Sequence, residues 1–571
     1  MSLEIKSQEL KNLVSTYDTQ WFLGDLSGLM KCIANGAAQD QLGNLSSPLR
    51  QLYFLGGLVI SSNDQNATEI QYTEEKWEKI VELLNEIELE YDKLFFAKPN
   101  EEINDEWRKI RQVAMPSFLS YFNQGPLNYE EQTINWINDL YTQLDETVQA
   151  ETGVEVIDFI NFYNSLDELV QQKFQGFGTG KDLFQEEWLA YTKLKIGVID
   201  EAPDSIKKMG EEKRPIYTFL ADHGIINRFK PVDLVSEDLT IEKIEIILQL
   251  LSCNRLQSDF LYYTSTRPGN PLYEYPIINI ENDLFQVFEV KQVIHAIDNL
   301  LERVCSKNLK SKDKLIEKKG KLLEKRILNL FKKFFKKDYR YFESYYVDGC
   351  EQDILFLWKN HAFIIEAKGY NLREPLRDPE RAFIRVKDDF KGCIGYGYTQ
   401  TKRVEQKFIN KIPLKIEDKD GNLIEEIDTK QYDENDFSII VNINSFAQIQ
   451  NDLSILLDVE EGDVYPWVIK IDDLEVFILT MIAKKKRPQD FINFLLLREK
   501  LHGKLICSDE LEVCGGYLTG TITEQKIDKA DKIFTTPDLP AIFDQQYWKG
   551  MGFKNEKLLA EKKSGKYNFW G

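Results

Sequence analysis

The stretch EQDILFLWKNHAFIIEAKGY, residues 351–370, leaves the chain fewer choices than any other. Two apolar runs, DILFLW and HAFIIEAK, are interrupted only by Lys359-Asn360. Short runs so rich in Ile, Leu, Phe and Trp have the length and composition of buried strands. A two-residue polar break between them predicts a hairpin in which Trp358 faces His361, Phe356 faces Phe363, Asp353 faces Glu366 and Glu351 faces Lys368. Strand side chains alternate, so Glu351, Asp353, Glu366 and Lys368 would share one face at one end of the ribbon. A slip of one residue would part the two carboxylates.

Like charges directly across a strand pair destabilise it, and a buried charge without a partner is costly. A divalent cation would remove the repulsion, and carboxylate oxygens are the ligands magnesium prefers. Lys368 adds a compact charge that can hold a water or stabilise a developing anion. Two carboxylates and an ammonium at the end of a buried hairpin point to metal-assisted hydrolysis of a phosphodiester. The competing reading is an exposed hairpin end whose charges are simply solvated.

Upstream, GKLLEKRILNLFKKFF (320–335) is an amphipathic helix in which Glu324 shares the apolar face of Ile327, Leu328 and Phe331. An acid there either reaches water from a frayed edge or belongs to a site, orienting the metal ligands or Lys368; the nearby acid–lysine cluster favours the site. The whole chain carries a net charge of −22, which argues against indiscriminate nucleic-acid binding. Residues 303–340 nevertheless hold fifteen Lys/Arg against four Asp/Glu. Local sign matters because salt screens charge over about 8–10 Å. Lys321 and Lys325 in this stretch are candidate phosphate contacts.

Beyond the hairpin, Arg373, Arg377, Arg381 and Arg385 recur at four-residue steps. With 380–390 helical, Arg381 and Arg385 lie one turn apart and can reach phosphates. The alternative is pairing with Glu380, Asp388 or Asp389. Gly392, Gly395 and Gly397 permit close approach of a backbone or ligand without forming a dinucleotide fingerprint.

Asp353, twelve intervening residues, then Glu366-Ala367-Lys368 on a hairpin preceded by a Glu-bearing helix resembles the PD-(D/E)xK nuclease superfamily. GKLLE…EQDILFLWKNHAFIIEAKG…YTQTKR, within 320–406, is similar to its nuclease-related, restriction-endonuclease-like branch. The resemblance implies that Asp353 and Glu366 bind Mg2+, with Mn2+ able to substitute, and that Lys368 positions and activates the water. It implies further that Glu324 is the family's helix acid and Gln400 the polar residue of the helix after the hairpin. Gln352 stands where the Pro of the family name would be, and Glu351 is an extra or alternative ligand. The implied protein is an endonuclease acting on DNA ahead of RNA. A nuclease domain embedded in a large helical chain resembles prokaryotic restriction or anti-phage defence proteins, with a protein partner or regulatory subunit expected. The alternatives are an RNA-cleaving nuclease and a non-catalytic nucleic-acid-binding scaffold with a degenerate core.

A chain of 571 residues is too long for one core. The expected class is multidomain α+β. It comprises a helical N-terminal domain (1–195), a mixed α/β connecting region (196–311), a nuclease-like α/β core with a mixed sheet (312–445) and a mainly helical C-terminal region (446–571). TEEKWEKIVELLNEIELEYDKLFF (73–96) steps its apolar residues by three and four after a Thr cap. IINI and LFQVFEV read as short strands before the helix KQVIHAIDNLLERV. PLKIEDKDGNLIEEI (413–427) reads as a hairpin around Asp420-Gly421, and FSIIVNIN (437–444) as a buried strand. GFGTGKD (176–182) fails as a phosphate loop, with Gln175 where a Gly is needed and Asp182 where a hydroxyl is needed.

Seven scattered cysteines and four isolated histidines support neither a disulfide framework nor a zinc site. Apolar runs such as YFLGGLVI (53–60) fall short of the roughly 20 residues of a membrane span. The polar start MSLEIKSQELKNLV offers no cleavable apolar segment. A cytoplasmic protein that does not enter the membrane is expected.

Overall fold

The computed structural model describes residues 2–33, 38–123, 128–176, 193–194, 204, 207, 221–262, 268–281, 283–370, 373, 376–432, 436–460 and 462–556. Residues 177–182 of the rejected phosphate-loop stretch lie outside them. The chain is mixed α+β and forms two compact units. One takes residues up to Phe96 and from Phe122 to Lys312; the other takes Ala97–Tyr121 and continues from Asp313.

The first unit is built on helices. Thr73 caps the helix Glu74–Asp92 by accepting a hydrogen bond from the Lys76 amide, and Trp77, Ile80, Leu84, Ile87 and Tyr91 form its buried stripe. The cap satisfies an amide that the first helical turn leaves unbonded. A small sheet in the order β1 (Arg228–Phe229), β4 (Leu284–Val287), β3 (Ile277–Glu281), β2 (Ser252–Cys253) contains the two short strands expected around 277–290. The helix Val290–Cys305 follows, capped by Glu289.

The second unit is organised by a seven-stranded mixed sheet. Its order is β11 (Trp467–Lys470), β10 (Asp436–Asn442), β7 (His361–Lys368), β6 (Cys350–Trp358), β5 (Tyr339–Val347), β8 (Leu414–Glu417), β9 (Leu423–Ile427). β7, β10 and β11 run parallel, while the ladders from β7 through β6, β5 and β8 to β9 are antiparallel. The expected hairpins are present. β6 and β7 pair Trp358 with His361 and Phe356 with Phe363 around Lys359-Asn360, and Gly421 turns β8 into β9 at φ +81°. Two strands are not among those expected, although both are rich in aromatic and β-branched residues. β5 is one, and β11 adds an edge strand to the sheet from the region expected to be mainly helical.

Helices cover both faces of the sheet. On one face the helix Leu309–Phe335 sets Phe331 against Phe356 (5.3 Å between ring centres) and Phe335 against Phe363 (5.2 Å), with Phe491 of the helix Pro488–Glu499 in the same cluster. Burying one such ring is worth roughly 1.5–3 kcal/mol, so this contact fixes where the helix lies along the strands. On the other face Val404 and Phe408 of the helix Tyr396–Ile409 pack on Leu355, Leu357 and Ile364. Beside them Val386, Phe390 and Ile394 meet Ile440, Val468 and Val113. Val113 belongs to the helix Asp105–Asn123, whose Arg111 also pairs with Glu380 at 2.6 Å. All seven cysteines are free thiols. Among the described residues no helix is long and apolar enough to cross a membrane.

Candidate active site

The charged end of the β6–β7 hairpin differs from a plain ladder. Regular pairing with β7 ends at Ile354↔Ile365, and the β5–β6 ladder passes from Glu343↔Ile354 to Tyr345↔Gln352. Asp353 therefore takes no backbone partner in either ladder. Ser344, which would face it, has φ +47°, a strained value for a residue with a Cβ. The expected pair Asp353–Glu366 is replaced by crossed side-chain bonds. The Ala367 amide donates to Asp353 Oδ2 at 2.7 Å, and the Asp353 amide donates to Glu366 Oε1 at 3.3 Å. The expected pair Glu351–Lys368 does not form either: Glu351 pairs with Tyr346 and Lys368 with Asn442. Skipping the pair lets two carboxylates approach without forcing them directly across a ladder.

Lys368 closes the cluster. Its Nζ stands 2.7 Å from Glu366 Oε2 and 3.5 Å from Asp353 Oδ2. Glu366 is fully buried, and burial, then Asp353, push its carboxyl up to about 8 despite Lys368. Burial works against the Lys368 ammonium, yet Glu366 and Asp353 hold its pKa above the usual lysine value. The lysine is thus a fixed positive charge at neutral pH, and the acids around it outnumber it.

Glu324 arrives by simple geometry. Phe331 rests on Phe356; seven helical residues back from Phe331 is about 10 Å, and three strand residues back from Phe356 is also about 10 Å. Glu324 and Asp353 therefore come level. Burial, then Asp353, Glu351 and Glu343, push the Glu324 carboxyl up to about 7, against the pull of Lys368. From the opposite face, buried Gln400 donates from Nε2 to the Glu351 carbonyl at 3.4 Å.

Glu324, Asp353, Glu366, Lys368 and Gln400 are thus brought together at one end of the sheet. Glu351 stands at the margin: its carboxylate accepts from the Tyr346 hydroxyl at 3.2 Å and acts on Glu324. Lys321 and Lys325 are exposed on the Glu324 helix, and Lys321 is paired with Glu317 one turn back. Arg381 and Arg385 lie on the helix Pro379–Phe390, outside the acid–lysine cluster. Of the acids offered as alternative partners for this arginine series, Asp389 pairs with Arg373 at 2.7 Å and Glu380 with Arg111.

The donor set suits a hard divalent cation. Asp353 and Glu366 offer two neighbouring carboxylates that share the one ammonium of Lys368, and magnesium needs only one or two carboxylates beside water and phosphate oxygens. Among the described residues no three His, Cys, Asp or Glu side chains gather so as to cage a metal by themselves.

Sequence reasoning missed two neighbours, Tyr345 and Tyr396, and named a third, Gly397, only as a place of close approach. Tyr345 is buried with no hydrogen-bond partner for its hydroxyl; burial, then Glu366 and Asp353, push its pKa well up. Gly397 packs on Lys368, and the Tyr396 ring centre is 5.6 Å from Lys368 Nζ. The glycine run around 392–397 was the available signal for the last two.

Compared with protein-family models, curated proteins and solved structures, the chain matches none.

Proposed function

We propose that the chain is a metal-dependent nuclease hydrolysing phosphodiester bonds, DNA ahead of RNA, at the parted end of the β6–β7 hairpin. The observation that carries this reading is Lys368 Nζ held between Glu366 and Asp353 where Asp353 has left the ladder. Asp353 and Glu366 would hold Mg2+ or Mn2+, which when bound makes the phosphorus more electrophilic, offsets charge on the leaving oxygen and lowers the pKa of the attacking water. Lys368, kept protonated by its two acids, positions that water and donates to charge that develops in the transition state; the water's proton would pass to bulk solvent as the bond to phosphorus forms. Glu324 orients Lys368 and the acids from the helix side, and Gln400 ties the end of β6 to the opposite helix. Lys321, Lys325, Arg381 and Arg385 supply phosphate contacts on the approach. Nuclease chemistry within a chain whose other unit is largely helical fits a restriction or anti-phage role, in which the remaining parts sense or restrain.

The test is incubation of the purified chain with DNA and RNA panels in Mg2+, Mn2+ or EDTA, beside Lys368→Ala. Metal-dependent products from DNA, absent in the variant, are expected. Products from no panel, or equal products from the variant, would sink the proposal. Salt-sensitive binding without scission would favour the scaffold reading instead.

A further inference from the structure

Tyr396 is 58% exposed although it stands against the site lysine. It opens the helix Tyr396–Ile409 directly after the π-helical turn Lys391–Gly395. Such wide turns recur at functional sites because they shift the side chains that follow. The two residues flanking the ring, Gly395 and Gly397, have no side chains to cover it. Packing demands glycine at one of them only: a methyl at 397 would crowd Ile440 and Lys368, whereas at 395 it would meet nothing nearer than 3.7 Å. The chain thus presents a bare aromatic ring one residue from the cluster's close contact.

We infer that Tyr396 is a stacking platform for an unpaired base beside the scissile phosphate, so that the substrate is a single strand, flap or frayed end, not an intact duplex. This rests on the nuclease reading above. The ring lies within one nucleotide's reach of Lys368. In a duplex each base is already stacked on its neighbours; only an open strand offers a free base face to an aromatic side chain. Lys368 below the ring strengthens the arrangement, since a cation on one face leaves the other to the base.

Binding of the full chain is measured in EDTA by fluorescence anisotropy. The probes are a labelled oligo-dT strand, the same strand carrying abasic sites, and a blunt duplex. Wild type should prefer the intact strand to both others. Tyr396→Leu should bind that strand about ten- to a hundred-fold more weakly, Tyr396→Phe should bind it like wild type, and all three should bind duplex equally. Melting curves confirm that the variants fold. Wild type without a single-strand preference, or Tyr396→Leu binding like wild type, overturns the stacking role. A parallel arm in Mg2+ follows scission: no cleavage of any strand by wild type defeats the nuclease reading, while cleavage with unchanged binding in Tyr396→Leu defeats the stacking alone.

Discussion

Gly397 lies directly against Lys368: a methyl group at position 397 would stand 3.2 Å from Lys368 Cε and 3.1 Å from Ile440 Cδ1. Ile440 is fully buried, so the side chain free to yield is the lysine. Gly397→Ala should therefore displace the ammonium while leaving the fold in place. Metal-dependent cleavage is expected to fall about ten- to a hundred-fold, the scale on which a small misplacement acts. Kinetics beside a thermal melt check this; full activity would mean that the position of Lys368 does not matter.

Metal binding and catalysis should separate by variant. Mg2+ at about a hundred times its dissociation constant adds about 2.7 kcal/mol to the folded state, which differential scanning fluorimetry reads as a higher melting temperature. Asp353→Asn should abolish that rise. Lys368→Ala should keep it and lose cleavage by at least about a hundred-fold. A metal-dependent rise that survives Asp353→Asn and Glu366→Gln would move the site elsewhere.

The phosphate contacts should show in the salt dependence of binding. Each lost contact lowers the slope of log affinity against log salt by about 0.9 for duplex DNA and about 0.7 for a single strand. Lys325→Gln should change the slope more than Lys321→Gln, because Lys321 is already paired with Glu317. Arg381→Gln with Arg385→Gln should act additively with it. Identical slopes for all variants would remove both helices from the interface.

A second acidic group predicts a pH effect on stability. Burial pushes Glu405 up to about 7 and Asp436 up to about 6, and burial with Glu405 and Asp436 pushes Glu499 up to about 8. A carboxyl raised in the folded state binds its proton more tightly there than in the unfolded chain. Its contribution is complete below the ordinary carboxylate range, near pH 4, and is lost as pH rises from there through about 6 to 8. Glu499→Gln cannot ionise, so it should gain on the order of 1 kcal/mol over wild type near pH 8.5 and nothing near pH 3.5. Melting temperatures at both values decide it, and an equal gain at both would remove titration as the cause.

The hairpin was legible from residues 351–370 because its determinants are local. Two apolar runs and a two-residue break permit one antiparallel register, and a slip would turn every side chain to the wrong face. The side of the helix that carries Glu324 was legible for a similar reason, since a period of 3.6 puts it with Ile327 and Phe331. The failure lay at the end of the ladder. Alternation set Asp353 across from Glu366, but it cannot anticipate a strand that drops a pair opposite a residue at positive φ.

By itself the sequence determined which charged residues share the hairpin and which helical face meets it, because neighbours along the chain settle both. Only the tertiary structure decided that β11 joins the sheet, that the helix bearing Arg111 and Val113 packs with Glu380 and Val386, and that Tyr396 stands over Lys368. Parallel strands and packed helices are drawn from distant segments whose local patterns resemble many others. Their partners are selected by the shape and burial available once the chain has folded, and no short window of residues contains that information.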